Sequence, residues 1–184
     1  MHGASKSLIA TLPLLALASL ATADYKSGDT ISLDAGFGYL TNSSTRKIVD
    51  GNGFTAGIGY ALPFKGVLSP QSGRASIDVD WNRNTGKGNT FNSVAAEYVE
   101  RIPLSMSTTM NANQPMPYFG IGVGAFFDNA KVGGVTTNKT EFGGEAMLGV
   151  LFSKQFYVEA SYRVSGEVNK TNVDNLNLVV GVRF

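Results

Sequence analysis

The chain has 184 residues, no cysteine and a formal net charge of +1 at pH 7, and 43% of its residues are hydrophobic. A near-neutral chain without a basic run is a poor partner for nucleic acid, and this hydrophobic fraction is too low for a bundle of membrane-spanning helices. The one histidine is His2, so the rest of the chain lacks the residues of Ser-His-Asp triads, cysteine nucleophiles and the usual zinc sites.

Residues 1–23 have the pattern of a secretory signal peptide. Lys6 supplies the positive charge, and the apolar run 8–20, which Pro13 interrupts, is too short to span a membrane as a helix. A small-residue cleavage site follows at 21–23, so we expect 24–184 to form a single mature domain. The alternative is a short N-terminal membrane anchor. An exported domain without disulfides depends on its sheet, a bilayer or both for stability.

Eight segments of about ten residues alternate apolar and polar side chains, the period of a β-strand. Their connections are rich in glycine, asparagine, serine and threonine, and a tight turn is expected at 153–154. No stretch after the signal peptide shows a convincing helical period. Glu100 interrupts one apolar face and is expected at a headgroup boundary or beside a bulge. The segments are 30–40, 53–62, 73–82, 92–102, 117–127, 141–152, 155–165 and a last run that ends at Phe184.

Alternation alone does not separate a membrane barrel from a soluble sheet with one wet face. Here the second face carries glycine and charge at mid-strand, and aromatic residues of the apolar face lie near the strand ends, as in the two girdles of outer-membrane barrels. The sequence therefore predicts an all-β fold, an eight-stranded antiparallel up-and-down transmembrane β-barrel, whose closure leaves no unpaired edge in the bilayer. The side chains predicted to face lipid at mid-strand are Phe37, Ile58, Val79, Val123, Leu148, Val158 and Val180.

Three short motifs carry a family resemblance: Gly-Ile-Gly-Tyr at 57–60, Pro-Tyr-Phe-Gly-Ile-Gly-Val-Gly at 117–124 and Val-Gly-Val-Arg-Phe at 180–184. On these motifs the chain resembles the small eight-stranded outer-membrane barrels, which include the OmpA transmembrane domain, OmpX and OmpW. The resemblance implies the bacterial cell outer membrane as the location. It also implies that Phe184 is the signal read by the barrel assembly machinery. Two connections, 63–72 and 103–116, are longer than the inner turns of the OmpA barrel and OmpX.

The face opposite the lipid carries a set of charged residues that we predict to form a lumen charge cluster. Counting back through the turn at 153–154 places Glu145 opposite Arg163, or one pair away at Ser161, so Arg163 is expected to bridge Glu145, Glu159 or both. An eight-stranded barrel has an interior about wide enough for side chains to fill, so the cluster is expected to plug it. The cluster comprises Asp34, Asp78, Asp80, Glu97, Glu145, Glu159, Arg163 and Arg183.

Two other uses of these acids are less favoured. A hydrolase with paired carboxylates would have to use Asp78, Asp80 and Glu97, but charges that stabilise a closed barrel explain them better. Asp78 and Asp80 would offer calcium two oxygens, and nothing nearby in the sequence supplies the remaining ligands. The sequence therefore predicts no catalytic residue, no cofactor and no metal.

Two functional hypotheses remain open. The first is a structural or surface-contact barrel with a charge-plugged lumen, whose expected partners are outer-membrane lipids, lipopolysaccharide and the barrel assembly machinery. The second is a narrow channel for small or apolar solutes, as proposed for the OmpW branch. In both cases we expect a monomer without enzymatic activity.

Overall fold

The computed structural model describes residues 30–69, 73–104, 115–152, 155–168 and 171–184. The predicted signal peptide and the predicted turn at 153–154 lie outside these ranges. In the described part of the chain, no helix is both long enough and apolar enough to cross a membrane. The elements are β1 Ile31–Leu40, α1 Ser43–Ile48, β2 Asn52–Lys65, β3 Arg74–Gly86, β4 Asn89–Pro103, β5 Met116–Val132, β6 Val135–Leu151, β7 Phe156–Val164, β8 Glu167–Val168, β9 Thr171–Asn172 and β10 Asn175–Arg183.

Eight of the strands form one closed antiparallel barrel in which β1 to β7 and β10 follow one another around the ring. β10 pairs with β1 and closes it, and the amide of Phe184 extends this seam by donating to the carbonyl of Ile31 at 2.8 Å. β8 and β9 form a separate two-stranded hairpin. The predicted fold class is confirmed. We call the end that holds Phe184 the terminal end, and the end that holds α1 and the β8–β9 hairpin the distal end.

The two faces of the barrel wall are the predicted ones. Val123 and Leu148 are 60% and 63% exposed on the outside, and four of the other predicted lipid-facing residues are exposed as well. Val158 is half-buried and lies between two buried side chains, Tyr157 and Glu159, that point inward. The outer surface is therefore apolar and the interior polar, as a bilayer requires.

Two hairpins extend further at the distal end than the sequence predicts. β3 and β4 meet at a turn of Lys87 and Gly88, with φ of 53° and 75°, and β5 and β6 meet at Gly133 and Gly134, with φ of 58° and 84°. Positive φ at both central residues is the geometry of the two-residue turn that matches strand twist. The predicted third and fifth segments stopped short of these turns. The hydropathy alternation fades there because outward residues such as Arg83 and Lys131 are polar, although inward residues such as Asn84 and Ala130 stay buried and the backbone ladder continues.

A short helix is present although no stretch after the signal peptide shows a convincing helical period. α1 begins after Asn42, whose Oδ1 accepts hydrogen bonds from the amides of Ser44 at 2.9 Å and Thr45 at 3.2 Å. Asparagine is a favoured N-cap because its side chain satisfies amides that have no partner in the first turn. Six residues are too few to show a helical period. The N-cap residue Asn42 was therefore the one feature of the sequence that indicated a helix here.

Among the described residues, two apolar clusters lie inside the barrel. The outer cluster packs at the distal end beneath α1 and the β8–β9 hairpin, and the inner cluster packs at the terminal ends of β5, β6 and β7 against one residue of β10. Between them the interior is polar. The outer cluster consists of Leu40, Val49, Phe91, Ala130, Val168 and Val173, and the inner cluster of Tyr118, Leu151, Tyr157 and Val179.

Candidate functional site

The central feature of the interior is one guanidinium that contacts carboxylates from three other strands. Nη2 of Arg163, on β7, lies 2.9 Å from Asp80 on β3 and 3.2 Å from both Glu97 on β4 and Glu145 on β6. Arg163 is 4% exposed, and its guanidinium also lies over the ring of Phe126, 5.7 Å from the centroid. We call Arg163 and its three carboxylates the central network. It ties together opposite sides of the wall.

The strand register accounts for one of these contacts. Glu145 lies directly opposite Arg163 in the β6–β7 ladder, which is the first of the two registers predicted. Inward residues on adjacent antiparallel strands come within reach of each other when they are direct partners. The contacts of Arg163 with β3 and β4 instead cross the interior, and the hairpin count did not anticipate them.

The expected bridge from Arg163 to Glu159 is replaced by a second network. Arg101, on β4, donates from Nη1 to Asp78 at 2.8 Å and from Nε to Glu159 at 2.9 Å, and the hydroxyl of Tyr118 donates to the same Glu159 oxygen at 2.8 Å. Glu159 lies nearer the terminal end than Arg163, where Arg101 enters the interior. Sequence reasoning missed Arg101 because it lies beside Pro103, at the end of an irregular segment. Arg101 is four residues from the inward Glu97 on the same strand. An even spacing puts both side chains on the same face, so the sequence did indicate that Arg101 points inward.

The remaining two predicted residues of the cluster meet at the barrel seam through a tyrosine. The hydroxyl of Tyr157 donates to Asp34 at 2.8 Å, and the guanidinium of Arg183 lies over the ring of Tyr157, 5.1 Å from its centroid. Aromatic rings attract cations placed over their faces. Tyr157 thereby connects the acid of β1 with the arginine of β10.

The arrangement offers a geometry that a metal ion could use, but a side chain already occupies it. Oxygens of Asp80, Glu97 and Glu145 lie within 4.8 Å of one another. Because Nη2 of Arg163 lies within 3.2 Å of each residue, the guanidinium takes the place of a cation among them. Asp78, the other predicted calcium candidate, is bound to Arg101 instead. The three acids considered for catalysis each lie within ion-pair distance of an arginine, Asp78 of Arg101 and both Asp80 and Glu97 of Arg163.

A family comparison identifies the class of barrel. The model of the outer membrane protein beta-barrel domain family matches residues 8–184. The chain belongs to this family. It is thus a small outer-membrane β-barrel protein, located in the bacterial outer membrane, and the resemblance seen in its sequence is confirmed. Among curated protein sequences, none matches the chain significantly.

Solved structures of outer-membrane barrels share the fold at low sequence identity. Neisserial surface protein A, NspA, is 20% identical with a TM-score of 0.62, over 83% of this chain and 94% of NspA. The N-terminal barrel domain of Pseudomonas aeruginosa OprF is 12% identical with a TM-score of 0.53, over 86% of this chain and 100% of that domain. The outer membrane enzyme PagL is 15% identical with a TM-score of 0.51, over 83% of this chain and 98% of PagL. At these identities the likeness establishes the fold alone.

In the part of the wall that the structure describes, one glutamate lies among the outward residues. Glu100 is 2% exposed because the segment 66–69 folds over it. Its carboxylate accepts hydrogen bonds from the amides of Val67 at 2.6 Å and Leu68 at 2.9 Å, and from the hydroxyl of Tyr98 at 2.8 Å. The segment 66–69 thereby shields the carboxylate of Glu100 from lipid. The β3–β4 and β4–β5 ladders run without a register shift at Glu100, and the shift just before this segment lies between β2 and β3. The expected bulge beside Glu100 is therefore not found, and its place at a headgroup boundary stays a prediction.

Proposed function

We propose that this outer-membrane barrel is a non-enzymatic protein with a plugged lumen, whose role is structural or a surface contact made by its distal end. The observation that carries the proposal is the central network, in which Arg163 draws carboxylates from three strands to one point. Ion pairs across the interior hold strands on opposite sides of the barrel together, and their side chains obstruct the passage of ions along the lumen. Breaking such a buried pair is costly because it exposes an uncompensated charge.

Two small cavities in the interior support the proposed plug. A cavity of about 20 Å³ lies near the terminal end beside Arg101 and Arg183, and another of about 10 Å³ lies beneath the outer cluster. A single water needs about 10–15 Å³ measured in this way, so each cavity holds one or two waters. The outer cluster places apolar side chains across the distal end, which disfavours the passage of hydrated ions.

The distal end offers the surface for contact. The extended β3–β4 and β5–β6 hairpins rise there beside α1, and exposed cations include Lys47, Arg83 and Lys131. Such cations suit the phosphates of lipopolysaccharide, because guanidinium and ammonium groups pair readily with phosphate. On this proposal the apolar wall meets outer-membrane lipids, the barrel acts as a monomer, and the barrel assembly machinery reads Phe184.

Conductance in planar lipid bilayers tests the plug. We expect the wild-type barrel to show no steady single-channel current, and we expect Arg163→Met to show intermittent openings because the three carboxylates then repel one another. Arg83→Met, which removes the same charge from the outer face, is the matched control and should behave as the wild type. A steady current through the wild-type barrel would overturn the proposal and support the narrow channel for small or apolar solutes.

The proposal of no enzymatic activity has its own test. PagL shows that a barrel of this fold can be an enzyme, so the fold does not decide the question. The purified barrel should be incubated with lipid A and with phospholipid vesicles, and the lipids analysed by mass spectrometry. We expect unchanged acyl chains, and release of a fatty acid by the wild type but not by Glu97→Gln would contradict the proposal.

A further inference from the structure

We propose that the barrel interior binds one small hard cation between the central network and the outer cluster, held by the side-chain oxygens of Asn82, Asn175 and Asn177. The three asparagines are 2%, 5% and 3% exposed. In each, Oδ1 is buried without a hydrogen-bond partner, and in Asn82 the Nδ2 group has none either. Asn82 lies on β3, and Asn175 and Asn177 lie on β10.

The three oxygens converge on the space above one glycine. A Cβ built on Gly38, in β1, would lie 3.0 Å from Oδ1 of Asn177, 3.1 Å from that of Asn82 and 3.7 Å from that of Asn175. Gly38 pairs directly with Asn177 across the seam. The missing side chain at Gly38 therefore leaves a small space that amide oxygens face from both sides of β1.

Hydrogen bonds set the orientation of two of these amides. Nδ2 of Asn175 donates to the carbonyl of Val173 at 3.2 Å, and Nδ2 of Asn177 donates to the hydroxyl of Ser161 at 3.4 Å. Their oxygens consequently face the space above Gly38. Three acceptors aimed at one point repel one another, and a buried acceptor without a partner carries a desolvation penalty. A positive charge among them removes both costs.

The surrounding charge favours a cation over a neutral molecule. The central network holds three carboxylates against one guanidinium. Asp128 adds another buried carboxylate. Asp128 is opposite Ser93, which is opposite Asn82, so this acid adjoins the asparagines.

Size and ligand type point to the class of ion. A cavity of about 10 Å³ lies beside this space and has room for one water-sized species. It borders Asn82 and Asn175 but not Asn177, and its other lining residues include Ser93, Asp128 and the apolar Leu40, Phe91 and Val173. Amide, hydroxyl and carboxylate oxygens are ligands for hard cations, and the flexible coordination of Ca²⁺ suits an irregular set better than the strict octahedron of Mg²⁺ does. Na⁺ has the same preference for oxygen, so Ca²⁺ and Na⁺ are the two ions to compare.

Thermal unfolding of the purified full-length barrel in detergent tests the site. After treatment with a chelator, the protein is heated in CaCl₂, NaCl or N-methylglucamine chloride at matched ionic strength. We expect the unfolding temperature to rise by at least about 2 °C in Ca²⁺ or Na⁺ relative to the bulky organic cation. The rise should vanish in Asn82→Leu and Asn177→Leu and persist in Asn52→Leu, whose side chain is exposed at the distal end.

A crystal of the wild type keeps the proposal testable if the variants do not fold. Crystals grown in CaCl₂ should show an anomalous peak above Gly38, and crystals grown in NaCl should show a species there with short contacts to the asparagine oxygens. Equal unfolding temperatures in all three salts, or a water at ordinary hydrogen-bond distances in both crystals, would overturn the proposal.

Discussion

Arg163→Met is the substitution that most directly tests the electrostatic account of the interior. Methionine has a similar length and no charge, so it removes the guanidinium while filling much of its space. Asp80, Glu97 and Glu145 would then face one another, with oxygens within 4.8 Å. We expect the folded barrel to lose stability because these acids lie in an interior that is poorly hydrated.

The magnitude follows from the burial of the network. Removing one partner of a buried ion pair costs about 3–5 kcal/mol, since the remaining charge is left uncompensated. Arg163 is 4% exposed and contacts three carboxylates, so we expect a loss toward the upper part of this range. Adding Glu145→Gln to Arg163→Met removes one of the repelling charges and should restore part of the loss.

Urea unfolding in lipid vesicles, followed by the fluorescence of Trp81, measures these differences. Trp81 is the only tryptophan of the chain, so the signal has one source. Arg83→Met is the control, because it removes an exposed arginine from the outer face of the same strand that carries Asp80. The reasoning is refuted if Arg163→Met lowers the free energy of unfolding by no more than Arg83→Met does. It is also refuted if adding Glu145→Gln to Arg163→Met lowers that free energy further.

Three further predictions concern the wall and the seam. Leu148→Arg should destabilise the barrel in vesicles by roughly 2–4 kcal/mol if the site is near the bilayer midplane, whereas Val135→Arg at the distal turn should have little effect; equal effects would place residue 148 outside the bilayer. Glu100→Gln should loosen the segment 66–69, because the carboxylate that accepts hydrogen bonds from two backbone amides is lost. Trypsin should then cleave after Lys65 faster than in the wild type, and an unchanged cleavage rate would contradict this. Phe184→Ala should lower the outer-membrane level and leave precursor in the periplasm, and normal insertion of the variant would refute its role in assembly.

The sequence determined the class of barrel and the direction of its side chains. Period-two alternation is a local property, so it assigned Leu148 to lipid and Glu145 to the interior without knowledge of the rest of the chain. The register of Glu145 with Arg163 was also accessible, because a short hairpin restricts which residues of adjacent strands are opposite. The apolar–polar alternation was lost in the long hairpins, where outward residues such as Arg83 and Lys131 are polar, and at Glu100, an acid on the outward face.

The tertiary structure alone decided which charges share a partner. Glu159 pairs with Arg101 across 58 positions of sequence, and Arg163 reaches Asp80 across 83. Closure of the sheet, with its strand tilt and register stagger, sets these cross-barrel distances, and no local pattern encodes them. The same holds for the oxygens that meet above Gly38. Their convergence depends on β3 and β10 lying on opposite sides of β1, which occurs only once the ring has closed.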